Sequence, residues 1–159
     1  MSVPIAEFRD DRGNRICWDG EQIPNTRVTF TGSNNTLRVE SGARIGNLSV
    51  QFDANNGLME VGSSRGVPSF SATVRVGEDS RVLIGRNVST TSTVGISATE
   101  GTTISLGEDC MLAIGVQLRA DDGHPIFDVH TEKRVNVSRD IVIGAHVWLG
   151  YNSAVLGES

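Results

Sequence analysis

The chain has 159 residues, 18 of them glycine, and only 5% are aromatic. That suits a single domain with a narrow interior filled by stacked Val, Ile, Leu and Ala. A net charge of −5, without a basic cluster or an aromatic platform, argues against nucleic acid as a partner, and neither a signal peptide nor a membrane-spanning run is present, so a cytoplasmic protein with no integral membrane segment is expected.

Residues 1 to about 27 show no repeat, and Trp18 and Ile23-Pro24 fit a cap over the end of a solenoid. The expected organisation is an N-terminal cap over 1–27 and one repeat domain over 28–159. Strands begin with Val28 and Phe30, then Leu37 and Val39, then Ala43 and Ile45. The phase slips at Leu48, Val50 and Phe52 and resumes with Met59 and Val61, then Val74 and Val76. Such slips indicate corners of unequal length. Glycine follows Val61, Val76, Ile84 and Leu106, where the positive φ of a tight corner favours it.

From residue 82 the pattern becomes strict. Val82, Val88 and Val94 advance by six, with Ile84, Thr90 and Ile96 as a second line two residues on. Ile104, Cys110 and Val116 with Leu106, Leu112 and Leu118 form the next set, and Ile141, Val147 and Ser153 with Ile143, Leu149 and Val155 the last. Inward residues two apart on a period of six mean short strands separated by corners, which is a parallel β-helix. Ile114-Gly115 offers a rival phase. The sets start at 82, 104 and 141. A small bulge around 98–101 and a long insertion over about 120–140 therefore leave the same corner, one above the other. The residue between each inward pair points outward, which stacks Ser89, Met111 and Trp148 on the middle face. An exposed Trp beside an exposed Met points to a contact with a ligand or a neighbouring subunit.

The insertion, DDGHPIFDVHTEKRVNVSRD, holds two of the three histidines. Histidine is the side chain best matched to proton transfer near neutral pH, and Gly123 and Pro125 would fix the backbone around His124. A lone loop histidine is, as a rule, an ordinary polar residue. His146 directly precedes an inward residue and reads as solvated. Three histidines with Asp121, Asp122 and Asp128 invite a metal reading, but their spacing matches no short metal motif, and no metal site is expected. Cys110 occupies an inward position and reads as a small core residue. The glycosylation-type tripeptides at Asn34, Asn47, Asn87 and Asn136 are ordinary for corners rich in Asn, Ser and Thr.

The run DGHPIFD, then RVN, then DIVIGAHVWLG resembles the hexapeptide-repeat acetyltransferases, above all the O-acetyltransferases of galactosides, maltose and capsular or other surface polysaccharides. The resemblance covers roughly residues 36–157. It implies an all-β fold, a left-handed parallel β-helix built as a three-sided solenoid; the hand comes from the resemblance alone, since ordinary β–β crossovers prefer the opposite one. It also implies acetyl-CoA as co-substrate, a sugar or polysaccharide acceptor, and a homotrimer with coenzyme bound between subunits. The family's catalytic histidine falls on His124 and its tryptophan near the coenzyme on Trp148. Direct transfer in a ternary complex follows, with His124 as general base and Asp122 or Asp128 as acceptor-binding groups. Family members continue beyond the position of Ser159 with further hexapeptides and a cap, so the chain reads as truncated and as a weak binder of acetyl-CoA. Two rival functions are a metal-dependent protein of the carbonic anhydrase type, and a non-catalytic structural or binding β-helix, such as an ice binder. The second would need a Thr ladder in register, which Thr90-Thr91 and Thr102-Thr103 do not form.

Overall fold

The computed structural model describes residues 2–157. Its strands form three sheets. The first contains β1 (Ser2–Ile5), β4 (Ile23–Phe30), β6 (Ile45–Phe52), β8 (Phe70–Val76), β11 (Val94–Ala98), β14 (Gln117–Arg119) and β17 (Ala154–Leu156). The second contains β2 (Phe8–Arg9), β3 (Arg15–Cys17), β5 (Thr36–Val39), β7 (Leu58–Val61), β9 (Arg81–Ile84), β12 (Thr103–Leu106) and β15 (Ile141–Ile143). A shorter third sheet holds β10 (Ser89–Thr90), β13 (Met111–Leu112) and β16 (Trp148–Leu149). Every sequential layer pairs in parallel from β3 and β4 onward, whereas β1 and β2 pair antiparallel at the N-terminal end. None of the described residues forms a helix long and apolar enough to cross a membrane.

The strict hexads fold in the register their spacing predicts. Ile104 pairs with Val82 below and Ile141 above, and Leu112 with Thr90 and Leu149. Val116 is buried and Ile114 half-exposed, which settles the phase against Ile114-Gly115. Interior columns continue through the irregular early coils. One runs Val28, Val50, Val74, Ile96, Leu118; another runs Leu37, Met59, Val82, Ile104. Burying each such side chain contributes about 1.5–3 kcal/mol. Phe30 and Phe52 stack at 5.2 Å, with Phe8 on Phe30 at 5.7 Å, so the base of the solenoid is aromatic. Cys110 is buried in the column, as its inward position requires.

Ala43 and Ile45 pack against the core as partly buried residues, and after the slip β6 buries Leu48, Val50 and Phe52 fully. Two details differ from the sequence reading. Ser89 is buried, although Met111 and Trp148 above it are exposed; the irregular stretch before β8 runs alongside, with Ser69 accepting from the Thr90 N–H. The glycines after the inward pairs are not there for positive φ. A Cβ on Gly85 would stand 2.7 Å from the Gly107 carbonyl carbon, and one on Gly107 would stand 2.6 Å from the Ala145 nitrogen. Close approach of stacked corners excludes a side chain. Positive φ falls instead on Asn34, Asn56 and Asp79, and on Asn87, Asp109 and His146. These residues stack on one another: Asn56 Nδ2 donates to Asp79 Oδ1 at 3.0 Å and Asn87 Nδ2 to Asp109 Oδ1 at 2.9 Å.

Candidate active site

The long insertion leaves the helix between β14 and β15. Its ends close where the Arg139 N–H donates to the Ala120 carbonyl at 3.2 Å, and Asp140 accepts from the Thr103 N–H at 2.7 Å. Within this frame the loop is organised on two buried polar side chains, Asp121 and Asn136. Asp121 accepts from Ser97 Oγ and from the Gly123 N–H, both at 2.8 Å. That grip sets the turn in which Gly123 adopts φ +79°. Asn136 crosses the loop from its far limb. Its Nδ2 donates to the His124 carbonyl at 2.7 Å and to Asp122 Oδ2 at 3.3 Å, and its Oδ1 accepts from the Ile126 N–H at 2.6 Å. The His124–Pro125–Ile126 backbone is therefore held on both sides by one amide.

A second anchor comes from the bulge below. Glu100 accepts from Arg134 Nη1 at 2.8 Å and from the Ser138 hydroxyl. These two hydrogen bonds, the arginine's first, hold its carboxyl below the usual glutamate range. The small bulge and the long loop share a corner, as the spacing implied, and an ion pair ties them together.

His124 is exposed on this rigid turn. With Pro125, Gly123, Asp121, Arg75 and Arg134 it lines a cavity of about 170 Å³. Two guanidinium groups stand in the same cavity as the imidazole, together with the carboxylates of Asp121 and Glu100; Arg134 is paired with Glu100 and Arg75 with Asp53, so both arginines are already engaged. Asp122 is exposed beside the turn and receives the longer Asn136 hydrogen bond. Asp128 sits at the loop tip. Its Oδ1 accepts from the His130 N–H at 3.0 Å, the Thr131 N–H at 2.7 Å and the Thr131 hydroxyl at 2.9 Å. Those bonds, led by the Thr131 N–H, keep its carboxyl below the usual range. Asp128 therefore has a structural part in the tip turn, and neither it nor Asp122 lines the His124 cavity.

Trp148 lies on the third sheet, directly over Met111. Its side chain is 70% exposed, as are Tyr151 at 72% and Val142 at 76% nearby in sequence. It does not line the His124 cavity of its own chain. His130 is at the exposed loop tip, and His146 occupies a corner with Nε2 3.8 Å from Asp109 Oδ2. No group of three His, Cys, Asp or Glu side chains among the described residues has the geometry to hold a metal. The loop is also less polar on its surface than its sequence implies: Phe127, Ile126 and Val129 are all exposed.

Sequence reasoning assigned no role to Asn136, Glu100 and Arg134. Arg134 and Asn136 lie in the RVN run that carries the family resemblance, and Asn136 also begins a glycosylation-type tripeptide. A faint signal existed for Glu100, which sits in the bulge predicted to underlie the loop.

No protein-family model matches the chain. It is 46% identical over 78 residues to a polysialic acid O-acetyltransferase of Escherichia coli O1:K1 / APEC, a match covering 48% of this chain and 25% of that protein. Over 132 residues it is 32% identical to the polysialic acid O-acetyltransferase of Neisseria meningitidis, covering 82% of this chain and 60% of that one. The chain thus spans a quarter and three fifths of these two curated relatives. Its fold superposes on the crystal structure of the polySia-specific acetyltransferase NeuO with a TM-score of 0.72 at 32% identity, over 83% of this chain and 61% of that one. For the polysialic acid O-acetyltransferase OatWY the TM-score is 0.60 at 27% identity, over 81% and 70%. In sequence and fold the chain is a hexapeptide-repeat β-helix protein similar to these polysialic acid O-acetyltransferases.

Proposed function

We propose that the chain carries the acceptor side of an acetyl-CoA-dependent O-acetyltransferase acting on an acidic polysaccharide, with His124 as general base. The observation that carries this reading is the His124 turn itself, gripped by Asn136 and opening on a cavity that also holds Arg75 and Arg134. The relatives' names, polysialic acid O-acetyltransferases, support both the reaction class and an acidic polysaccharide as acceptor.

In this reading the neutral His124 imidazole removes the proton from the acceptor hydroxyl as the oxygen attacks the thioester carbonyl. The imidazolium then returns that proton to the departing thiolate. No acyl-enzyme is required, and the step needs no nucleophile from the protein. A base of this kind contributes about 10²–10⁴-fold in rate. Asp122 flanks the turn and is the better placed of the two proposed acceptor-binding carboxylates, because Asp128 Oδ1 is engaged by the loop tip.

Acetyl-CoA would lie along the exposed apolar side chains Met111, Trp148 and Tyr151, whose character fits the apolar part of a pantetheine arm. Trp148 does not line the His124 cavity of its own chain; a neighbouring copy would bring the two together. The exposed Phe127, Ile126 and Val129 of the loop support the same assembly, a homotrimer. Incubating the protein with acetyl-CoA and a panel of neutral and acidic oligosaccharides, then weighing the products, tests the reading. Acetyl esters on the acidic members alone would support it; esters on none of the panel would sink it.

A further inference from the structure

The outer face of the first sheet leads away from the His124 cavity. Two lines of outward residues climb it in register: Arg27, Ser49, Thr73, Gly95 and Gln117 in one, and Gln51, Arg75, Ser97 and Arg119 in the other. From Arg27 to Gln117 is four inter-strand steps, roughly 19 Å. Three cavities lie end to end along this face. One of about 340 Å³ is bounded by Arg27, Ser49, Thr73 and Thr93. The next, of about 310 Å³, is bounded by Thr73, Thr93, Gly95 and Arg119. It shares Thr73 and Thr93 with the first and Arg75 with the His124 cavity.

Gly95 opens the middle of this groove. Its φ is not positive, so the backbone does not require glycine there. A Cβ would lie 2.2 Å from Gln117 Oε1 and would project from the sheet into the groove. The charge is also distinctive. On a chain of net charge −5, no carboxylate lines the two outer cavities. Arg27 and Arg119 form no ion pair among the described residues. Two uncommitted guanidinium groups flanking neutral Thr, Ser and Gln match a polymer with periodic negative charge and many hydroxyls.

We infer that this face is the track on which an extended acidic glycan lies. The unit to be modified rests at His124, and neighbouring units run over Gly95 toward Arg27. The inference rests on the reading above only for what happens at the His124 end. The occupant is a linear, carboxylate-bearing oligosaccharide, engaged over several consecutive units.

Calorimetry with sialic acid oligomers of two and about ten units tests it without reference to catalysis. The wild-type chain should bind the longer oligomer at least about tenfold more tightly. Arg27→Glu, at the far end, and Gly95→Phe, in the middle, should each abolish most of that advantage and leave the dimer affinity unchanged. Their sedimentation and melting should match wild type. Equal affinity for the two lengths, or variants that keep the advantage, would overturn the track. A change in oligomeric state in Arg27→Glu without loss of the advantage would assign this face to contact between copies and overturn it too. If no acetyl ester forms while the length preference and its loss in both variants persist, the track stands and the transferase reading falls.

Discussion

Asn136→Ala is the most informative change to the loop. It deletes the two short hydrogen bonds to the His124 carbonyl and the Ile126 N–H, at 2.7 and 2.6 Å. Each is worth about 0.5–1.5 kcal/mol net, so the His124 turn loses about 1–3 kcal/mol of local support. Water can replace the lost partners, because the turn is exposed. Global stability should therefore hardly change, since the loop opens locally while the stacked core persists. Catalysis is more sensitive. A base displaced by about 1 Å loses on the order of 10²-fold in rate, so Asn136→Ala should approach the defect of His124→Ala. Asn136→Asp keeps an oxygen for the Ile126 N–H, but sets a carboxylate against the His124 carbonyl and Asp122. It should recover little. The assay is steady-state acetyl transfer to an acidic oligosaccharide, paired with thermal melting. If Asn136→Ala stays within about threefold of wild type, well short of a misplaced base, the clamp does not position His124. A fall in melting temperature matching that of a core deletion would show that the loop is part of the global fold.

Three further outcomes are expected. Gly85→Ala forces a Cβ against the Gly107 backbone and should cost about 1–3 kcal/mol by denaturant melting; a neutral result would mean that the corner stack yields easily. Glu100 has a depressed carboxyl, so its anchoring is present above the ordinary glutamate range and is lost as the pH falls through its lowered folded value; amide exchange in the loop should rise there in wild type and at all pH values in Glu100→Gln. Trp148→Glu should convert the proposed trimer to monomer in sedimentation at micromolar concentration, and an unchanged mass would remove this face from the assembly.

What could be read from the sequence was whatever the six-residue period governs. From Val82 onward the inward pairs recur every six residues, with Ala98 buried as a third residue of β11, and the register follows directly. Earlier coils resist the same reading for a physical reason. The third side is covered there by turns and irregular chain instead of strand, and β6 and β8 bury three and four residues in runs that the six-residue spacing does not divide. The hexad count then fails although the interior columns continue unbroken. At the site, the sequence exposed His124 through its Gly and Pro neighbours. It could not expose Asn136 or the Glu100–Arg134 pair, whose partners lie 12 and 34 residues away. Those contacts depend on how two limbs of a loop fold against each other and against the coil beneath. The glycines were noticed, but for the wrong reason, because close approach between coils is invisible until the coils are stacked.

In the proposed mechanism the imidazole whose turn Asn136 holds moves the acceptor's proton. Acetyl transfer from acetyl-CoA to an acidic oligosaccharide, measured side by side for wild type and His124→Ala, tests it most directly. A loss of about 10²-fold or more, with unchanged melting and unchanged oligosaccharide binding, is the predicted result. A His124→Ala protein that transfers acetyl within a few-fold of wild type would contradict the claim.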